Sequence, residues 1–444
     1  MATTLPLALP LPPGTFGLPI VGETGDWARR PLNFAQTRAA RHGLVFRSHI
    51  LGRPCAVLLG PEANRFILST HMHLFSSRAG WGEPITTLIG NGLSFLDGDT
   101  HRQHRALIQP ALHARTIGRF FAAMEQAAAE HIATWVAVGR LRMFMGFKQL
   151  SFALAAQLIL GLNAAEARQV EPPFATFTRG LFAPPAWRVP GLPYHSAWLA
   201  GQSLRRTLRE VVIAHRAVPH DTVLGMLIEA RNEHGQGLND AELVDELLVL
   251  LWAGHDTITS LMTWVVYELL HHQDIAEKLR DEQARVVGNG PLEMAHLRQF
   301  PLLDRVLRET ERLHPPAPGG FRGVVESFEY GGYHIPAGWT VMYSSLFTHR
   351  MPELWHDPER FDPARFEPER NEGHKPFHLI GFGAGPRVCV GLAFAQMQMR
   401  IVLSQLLRRT RLTLVPGQRF RTVSVPTAMP KDGLIVDVGA QHAP

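Results

Sequence analysis

A cysteine that follows a glycine-bent loop carries the clearest chemistry in this chain. The segment Phe382-Gly383-Ala384-Gly385-Pro386-Arg387-Val388-Cys389-Val390-Gly391 leads into an apolar stretch from Leu392 to about Leu407 with helical spacing. Gly383 and Gly385 permit backbone angles that other residues avoid, so the loop can turn tightly and aim N–H groups at a sulfur anion. Cys389 falls just before the predicted helix start, where the helix dipole favours thiolate over thiol. Gly391 leaves room for a flat ligand against the helix, and Arg387 is placed to meet an anionic group at its rim. A lone cysteine is most often a small buried hydrophobe. Ten residues in this arrangement are another matter.

A second constellation lies in the run 240–272. Leu243, Leu247, Leu251, Ile258, Met262, Val265 and Leu269 recur at helical spacing, Asn239 or Asp240 can cap the start, and apolar residues surround the segment on nearly all sides. Ala253-Gly254-His255-Asp256-Thr257 interrupts it. A glycine, an acid and a hydroxyl in a buried helix cost stability unless something uses them, although a Thr bonded back onto its own helix is the plain alternative. A third pair, Glu309 and Arg312, sits at i,i+3 spacing before His314-Pro315-Pro316. Taken alone, such a pair is usually a surface salt bridge.

The elements that must position these groups are mainly helical. The spacing predicts a helix near Pro31–His42, short strands over Val45–Ile50 and Cys55–Leu59, and a long loop over 71–98. Helices follow from His101 to about Glu242, broken at Pro172-Pro173, Pro184-Pro185 and Pro190–Pro193; short strands fill 316–345, and hairpins fill 410–440. The fold class is mainly α with small β-sheet regions (α+β), and no linker divides the 444 residues. Cys55 and Cys389 are too few for a disulfide framework and suit a reducing cytosol. Pro6, Pro10, Pro12 and Pro13 break the apolar N-terminus, which is too short to span a bilayer, so a cytoplasmic protein is expected. The net charge is +5. Without finger spacing or an arginine-rich arm, that charge suits an acidic protein partner better than nucleic acid.

The loop ending in Gly391 resembles the haem-binding loop of the cytochrome P450 family, with Phe382, Gly385, Arg387, Cys389 and Gly391 all in place. The Ala253–Thr257 run matches the family's oxygen-binding helix, and the resemblance extends from Pro13-Gly14 to the final hairpins. It implies a single P450 domain over 1–444, with 1–13 as a Pro-rich tail and no membrane anchor. It implies haem b as cofactor, with Cys389 as axial ligand of the iron and Phe382 and Gly254 beside the ring. Arg105, Arg322 and Arg387 would pair with the propionates, and His101, where the family's W-x-x-x-R pattern has Trp, could bond one of them. Asp256 would relay protons and Thr257 would donate to the oxygen being cleaved; the family often has a hydroxyl where Ile258 stands. Glu309 and Arg312 would join Arg360 of Pro358-Glu359-Arg360-Phe361 in a buried structural network. The implied reaction inserts one atom of O2 into a hydrophobic substrate, with electrons from a ferredoxin and its reductase. Arg102, Arg387, Arg400 and Arg408 are candidates for the docking face.

Within the family, Glu311–Arg322 and Gly332–Trp339 resemble the branch of retinoic acid hydroxylases shared by animal enzymes and cyanobacterial relatives. A retinoid or related isoprenoid acid is the expected substrate, with a fatty acid or terpenoid as its rival. A peroxide-using haem-thiolate enzyme and a non-catalytic haem sensor are further alternatives. Trp81, Leu88, Phe182, Trp187, Trp252, Ala253, Pro318, Phe321 and Thr427 are candidate pocket residues by position.

Overall fold

Capping and one-sided burial set the main element boundaries. In the computed structural model, which describes residues 9–19, 21–183, 189–423 and 427–441, the longest helix runs Asp240–His271. The Asn239 side chain accepts from the Ala241 and Glu242 backbone N–H groups, and the Glu242 carboxylate accepts from the Asn239 N–H. These bonds satisfy donors that a helix start would otherwise leave orphaned. Asn163 and Glu166 begin the Ala164–Gly180 helix in the same way.

That second helix corrects the expectation of a break at Pro172-Pro173, because it continues through both prolines. Val170, Phe174 and Phe177 are buried on one face, and this packing outweighs a local cost of about 3 kcal/mol for an interior proline. A helix does begin at Pro193, as Pro190–Pro193 suggests; Pro184-Pro185 lie outside the described residues. The expected long loop over 71–98 instead contains short helical turns at Met72–Leu74, Ser77–Trp81, Glu83–Ile89 and Leu93–Phe95. None is long enough to display a helical period in sequence. The Ser76 hydroxyl, accepting from the Ala79 N–H at 2.9 Å, is what starts one of them.

The chain forms two compact units, each drawn from separated stretches. One takes the described residues up to Glu83 together with Ala317–Arg360 and Glu372–Val388; the other takes Pro84–Pro316, Phe361–Asn371 and the described residues from Cys389. Interleaved stretches of this kind leave no linker to be read in the sequence.

The first unit is organised by a five-stranded sheet in the order Val45–Ile50, Arg53–Leu58, Thr340–Tyr343, Gly320–Val324, Phe75–Ser76. Neighbours are antiparallel except Arg53–Leu58 with Thr340–Tyr343, which are parallel. Alternation along Arg53–Leu58 sends Cys55 and Val57 into a cluster with Phe34, Phe46 and Met342, and Ala56 and Leu58 into another with Phe75 and Val341.

The second unit is mostly helical. The Asp240–His271 helix packs against the helices Met143–Leu158, Pro193–Ala217, Pro301–Leu313 and Leu392–Arg409. A three-stranded antiparallel sheet, Arg140–Arg142, Ile435–Ala440, Thr410–Leu414, completes it. Among the described residues no helix is long and apolar enough to cross a membrane.

Candidate functional site

The middle of the Asp240–His271 helix carries a partly open stripe next to a closed stretch. Leu250, Ala253, Gly254 and Thr257, at i, i+3, i+4 and i+7, are only half-buried, whereas every residue from Ile258 to Val266 is buried. A Cβ added at Gly254 would meet nothing within 4 Å. The helix therefore presents unfilled space one residue from Ala253 and one turn from Thr257. Trp252 flanks the stripe, with Phe95 stacked on it at 6.3 Å and Phe182 tilted at 6.2 Å.

Asp256 turns toward a different neighbourhood. Its Oδ1 lies 3.0 Å from His255 Nδ1 and 3.2 Å from Lys148 Nζ, and the Lys148 side chain retains 26% exposure. His255 Nε2 is 3.1 Å from the Lys148 carbonyl, so this nitrogen must carry a hydrogen. Burial works to raise the Asp256 carboxyl, but contacts from His255 and then Lys148 outweigh it and hold the acid below the usual carboxylate range. Phe152 and Phe174 pack edge-on against the His255 ring. The Thr257 hydroxyl donates to the Ala253 carbonyl at 2.7 Å, which is the back-bonded arrangement.

Cys389 is exposed, while Cys55 is wholly buried. Burial of its surroundings nevertheless pushes the Cys389 thiol up, opposed by the Gly391 backbone N–H and the Arg105 charge, with Glu311 acting against them. Burial lowers the Arg105 guanidinium pKa and the nearby Cys389 offsets part of that shift. Arg105 Nε donates to Gln109 at 3.1 Å, and His101 on the same Gly98–Ile108 helix is buried. In the sheet-containing unit, Gly383 and Gly385 have φ of 75° and 64°, and a side chain at Gly385 would collide with the Leu68 carbonyl. Phe382 and Arg387 are half-buried there. Arg322 donates to the Phe321 carbonyl at 2.8 Å and lies over the Tyr343 ring.

Glu309 is the hub of a closed ionic network, and its third member corrects the sequence reading. Arg312 Nε and Nη2 donate to the two Glu309 oxygens at 2.7 and 2.8 Å; Arg365 Nε donates at 3.0 Å and the Asp362 backbone N–H at 2.8 Å. The side chains of Glu309, Arg312 and Arg365 are 0% exposed. Arg360, the expected partner, is exposed. The pattern Pro-x-Arg-Phe occurs twice, at Pro358–Phe361 and Pro363–Phe366, and Asp362, whose carboxylate caps the Pro363–Phe366 turn, directs the second arginine inward.

The remaining candidates divide by unit. Trp81, Pro318 and Phe321 are half-buried in the sheet-containing unit. Leu88 and Thr427 are buried and Phe182, Trp252 and Ala253 half-buried in the helical unit. Trp187 lies outside the described residues. Lys148, Phe95, His104 and Glu246 were missed, since none has a near neighbour in sequence with which it forms a recognisable pattern.

An exposed cysteine just before one helix, and open space beside an acid–alcohol pair on another, suit a class: a mainly helical protein able to hold a thiolate-bound group. The residues present fit such a group. The model for the family Cytochrome P450 matches residues 12–437. A cytochrome P450 120 of Synechocystis is 34% identical over 433 residues, 97% of each chain. Human cytochrome P450 26B1 is 31% identical over 446 residues, 96% of this chain and 86% of that one. A solved structure of retinoic acid-bound cyanobacterial CYP120A1 superposes with a TM-score of 0.92 at 33% identity, covering 98% of this chain and 100% of that chain. The chain belongs to the cytochrome P450 family. It is a haem-dependent monooxygenase that uses O2, a hydrophobic substrate and a redox partner.

Proposed function

We propose that this monooxygenase hydroxylates a retinoid, such as retinoic acid or a related isoprenoid acid. The supporting observation is that CYP120A1, whose solved structure carries retinoic acid, shares this fold at a TM-score of 0.92 over 98% of the chain. In this reading residues 1–444 act as one catalytic domain, consistent with one family model matching both units. Cys389 would hold the iron of haem b; Arg105, Arg322 and Arg387, with His101, would meet its propionates; Phe382 and Gly254 would border the ring. When bound, haem supplies the reductive activation of O2.

The chain's own residues then manage protons and water. Thr257, now donating to Ala253, can turn its hydroxyl toward the stripe beside Gly254. Asp256, held as an anion by Lys148 and His255, can pass protons inward from the Lys148 side, which reaches solvent. An acid–alcohol pair of this kind suits electron-driven chemistry and weighs against a peroxide-using enzyme or a sensor. Electrons would come from a ferredoxin and its reductase.

Titrating the purified haem protein with all-trans-retinoic acid should move the haem from low to high spin, and reconstituted turnover should give a hydroxylated retinoid. If dodecanoic acid or a terpenoid produces the shift and product while retinoic acid does neither, the retinoid reading is wrong.

A further inference from the structure

The segment Ile89–Phe95 lies in register along the Asp240–His271 helix, held by groups that the reaction itself does not use. Asp245 accepts from the Asn91 backbone N–H at 2.7 Å, and Glu246 accepts from the Leu93 N–H at 2.9 Å. Gly92 sits on Val249, where a Cβ would come within 2.6 Å of Val249 Cγ2. One turn further, Phe95 stacks on Trp252. Contacts at 245, 249 and 252 follow one face of the helix and arrive at the residue preceding Ala253.

Two outside groups lock this arrangement. Arg205, on the Pro193–Ala217 helix, donates to Asp245 and to the Ile89 carbonyl at 2.5 Å. His104, on the Gly98–Ile108 helix, places Nδ1 2.9 Å from Glu246 Oε1. Glu246 is 0% exposed and His104 is 7% exposed. Gly90, at φ 93°, has Arg205 and Asp245 where a side chain would stand. Both glycines are therefore required by the close approach of loop to helix.

We propose that His104, Arg205, Asp245 and Glu246 form a clasp that positions the Ile89–Phe95 segment and thereby sets the width of the substrate space at Trp252. The clasp does not touch substrate; it fixes Phe95, and Phe95 fixes Trp252 beside the open stripe. Its ligand is a long apolar molecule, and the retinoid as probe rests on the function proposed above. The groups facing His104 are Glu246, Glu242 with an oxygen 3.8 Å from Nε2, and Asp245. Burial lowers the His104 pKa, but Glu246 first and then the other two carboxylates outweigh it, so the net shift is upward. Burial also raises the Glu246 carboxyl pKa, so the charged clasp is complete only between that value and the raised His104 value, and it weakens as pH rises through the latter.

Glu246→Ala and His104→Gln should be compared with the wild-type holoenzyme, each first shown to keep the thiolate-type carbonyl spectrum. Amide exchange of Leu93 should accelerate at least tenfold in Glu246→Ala and severalfold in His104→Gln. Affinity for all-trans-retinoic acid should fall about tenfold in Glu246→Ala, while imidazole, which needs only the iron, should bind within twofold of wild type. The wild-type decline in retinoic acid affinity with rising pH should disappear in His104→Gln. Dodecanoic acid serves as a second long probe, so a wild-type enzyme that ignores retinoic acid refutes the retinoid reading while exchange and dodecanoic acid still decide the clasp. Unchanged exchange in both variants, or equal loss of imidazole and the long acid, overturns the proposal.

Discussion

Two buried charge clusters in the helical unit are built to opposite plans. The Glu309–Arg312–Arg365 network has both carboxylate oxygens bonded, takes a further backbone N–H, and admits no solvent. The Lys148–His255–Asp256 cluster leaves His255 Nδ1 and Asp256 Oδ1 without hydrogen-bond geometry among the described residues, and it reaches the surface through Lys148. A saturated network resists change and serves as scaffold. An under-satisfied one can exchange protons, at a cost in stability that only a use for it would justify.

The sharpest break in that comparison is Glu309→Ala, which removes the buried carboxylate that Arg312 and Arg365 share. Stability should drop by about 3–5 kcal/mol, read by urea unfolding together with haem content. Arg365→Ala should behave similarly, and Arg360→Ala should stay within about 0.5 kcal/mol of wild type because Arg360 is exposed. A large loss at Arg360 with none at Arg365 would return the network to its first assignment.

Thr257→Ala should leave folding and haem loading intact while product per electron consumed falls severalfold and hydrogen peroxide appears instead. Coupling equal to wild type would leave the hydroxyl as nothing more than the back-bond to Ala253.

Lys148→Met should act through Asp256 alone. The acid's pKa is depressed, so its stabilising contribution is present above the ordinary carboxylate range and lost as pH falls through the depressed folded value. Removing Lys148 raises that folded value, so the acid limb of the kcat profile should move to higher pH with KM little changed. A profile superimposable on wild type would remove Lys148 from the proton route.

The smallest effect is expected at the arginines proposed for docking. Arg400 already pairs with Asp304 at 2.6 Å, and Arg408 donates to the Gly288 and Gly290 carbonyls. Charge reversal at Arg400 should therefore slow reduction by a ferredoxin only about threefold at low salt, and not at all once salt screens beyond roughly 8 Å. Stopped-flow reduction at two ionic strengths measures it.

Features carried by local chemistry were legible in the sequence: the glycine-bent loop before Cys389, the Asn239 cap, and the Pro31–His42 helix. Features decided by which of two similar segments becomes buried were not. Pro358–Phe361 and Pro363–Phe366 share one pattern, and only tertiary packing selects Arg365. The proline pair at 172–173 misled for the same reason, since Phe174 and Phe177 override the local preference. The clasp joins residues 89–93, 104, 205 and 245–246, so no stretch of sequence carries it.

The central claim rests on one sulfur. Reduced, carbon monoxide-treated protein should show the thiolate-haem absorption band in wild type and in Cys55→Ser, where the buried thiol, pushed up to about 12, stays neutral in the sheet core. The band should be absent from Cys389→Ser. A Cys389→Ser protein that retains it, or a Cys55→Ser protein that folds and binds haem but lacks it, would contradict the account.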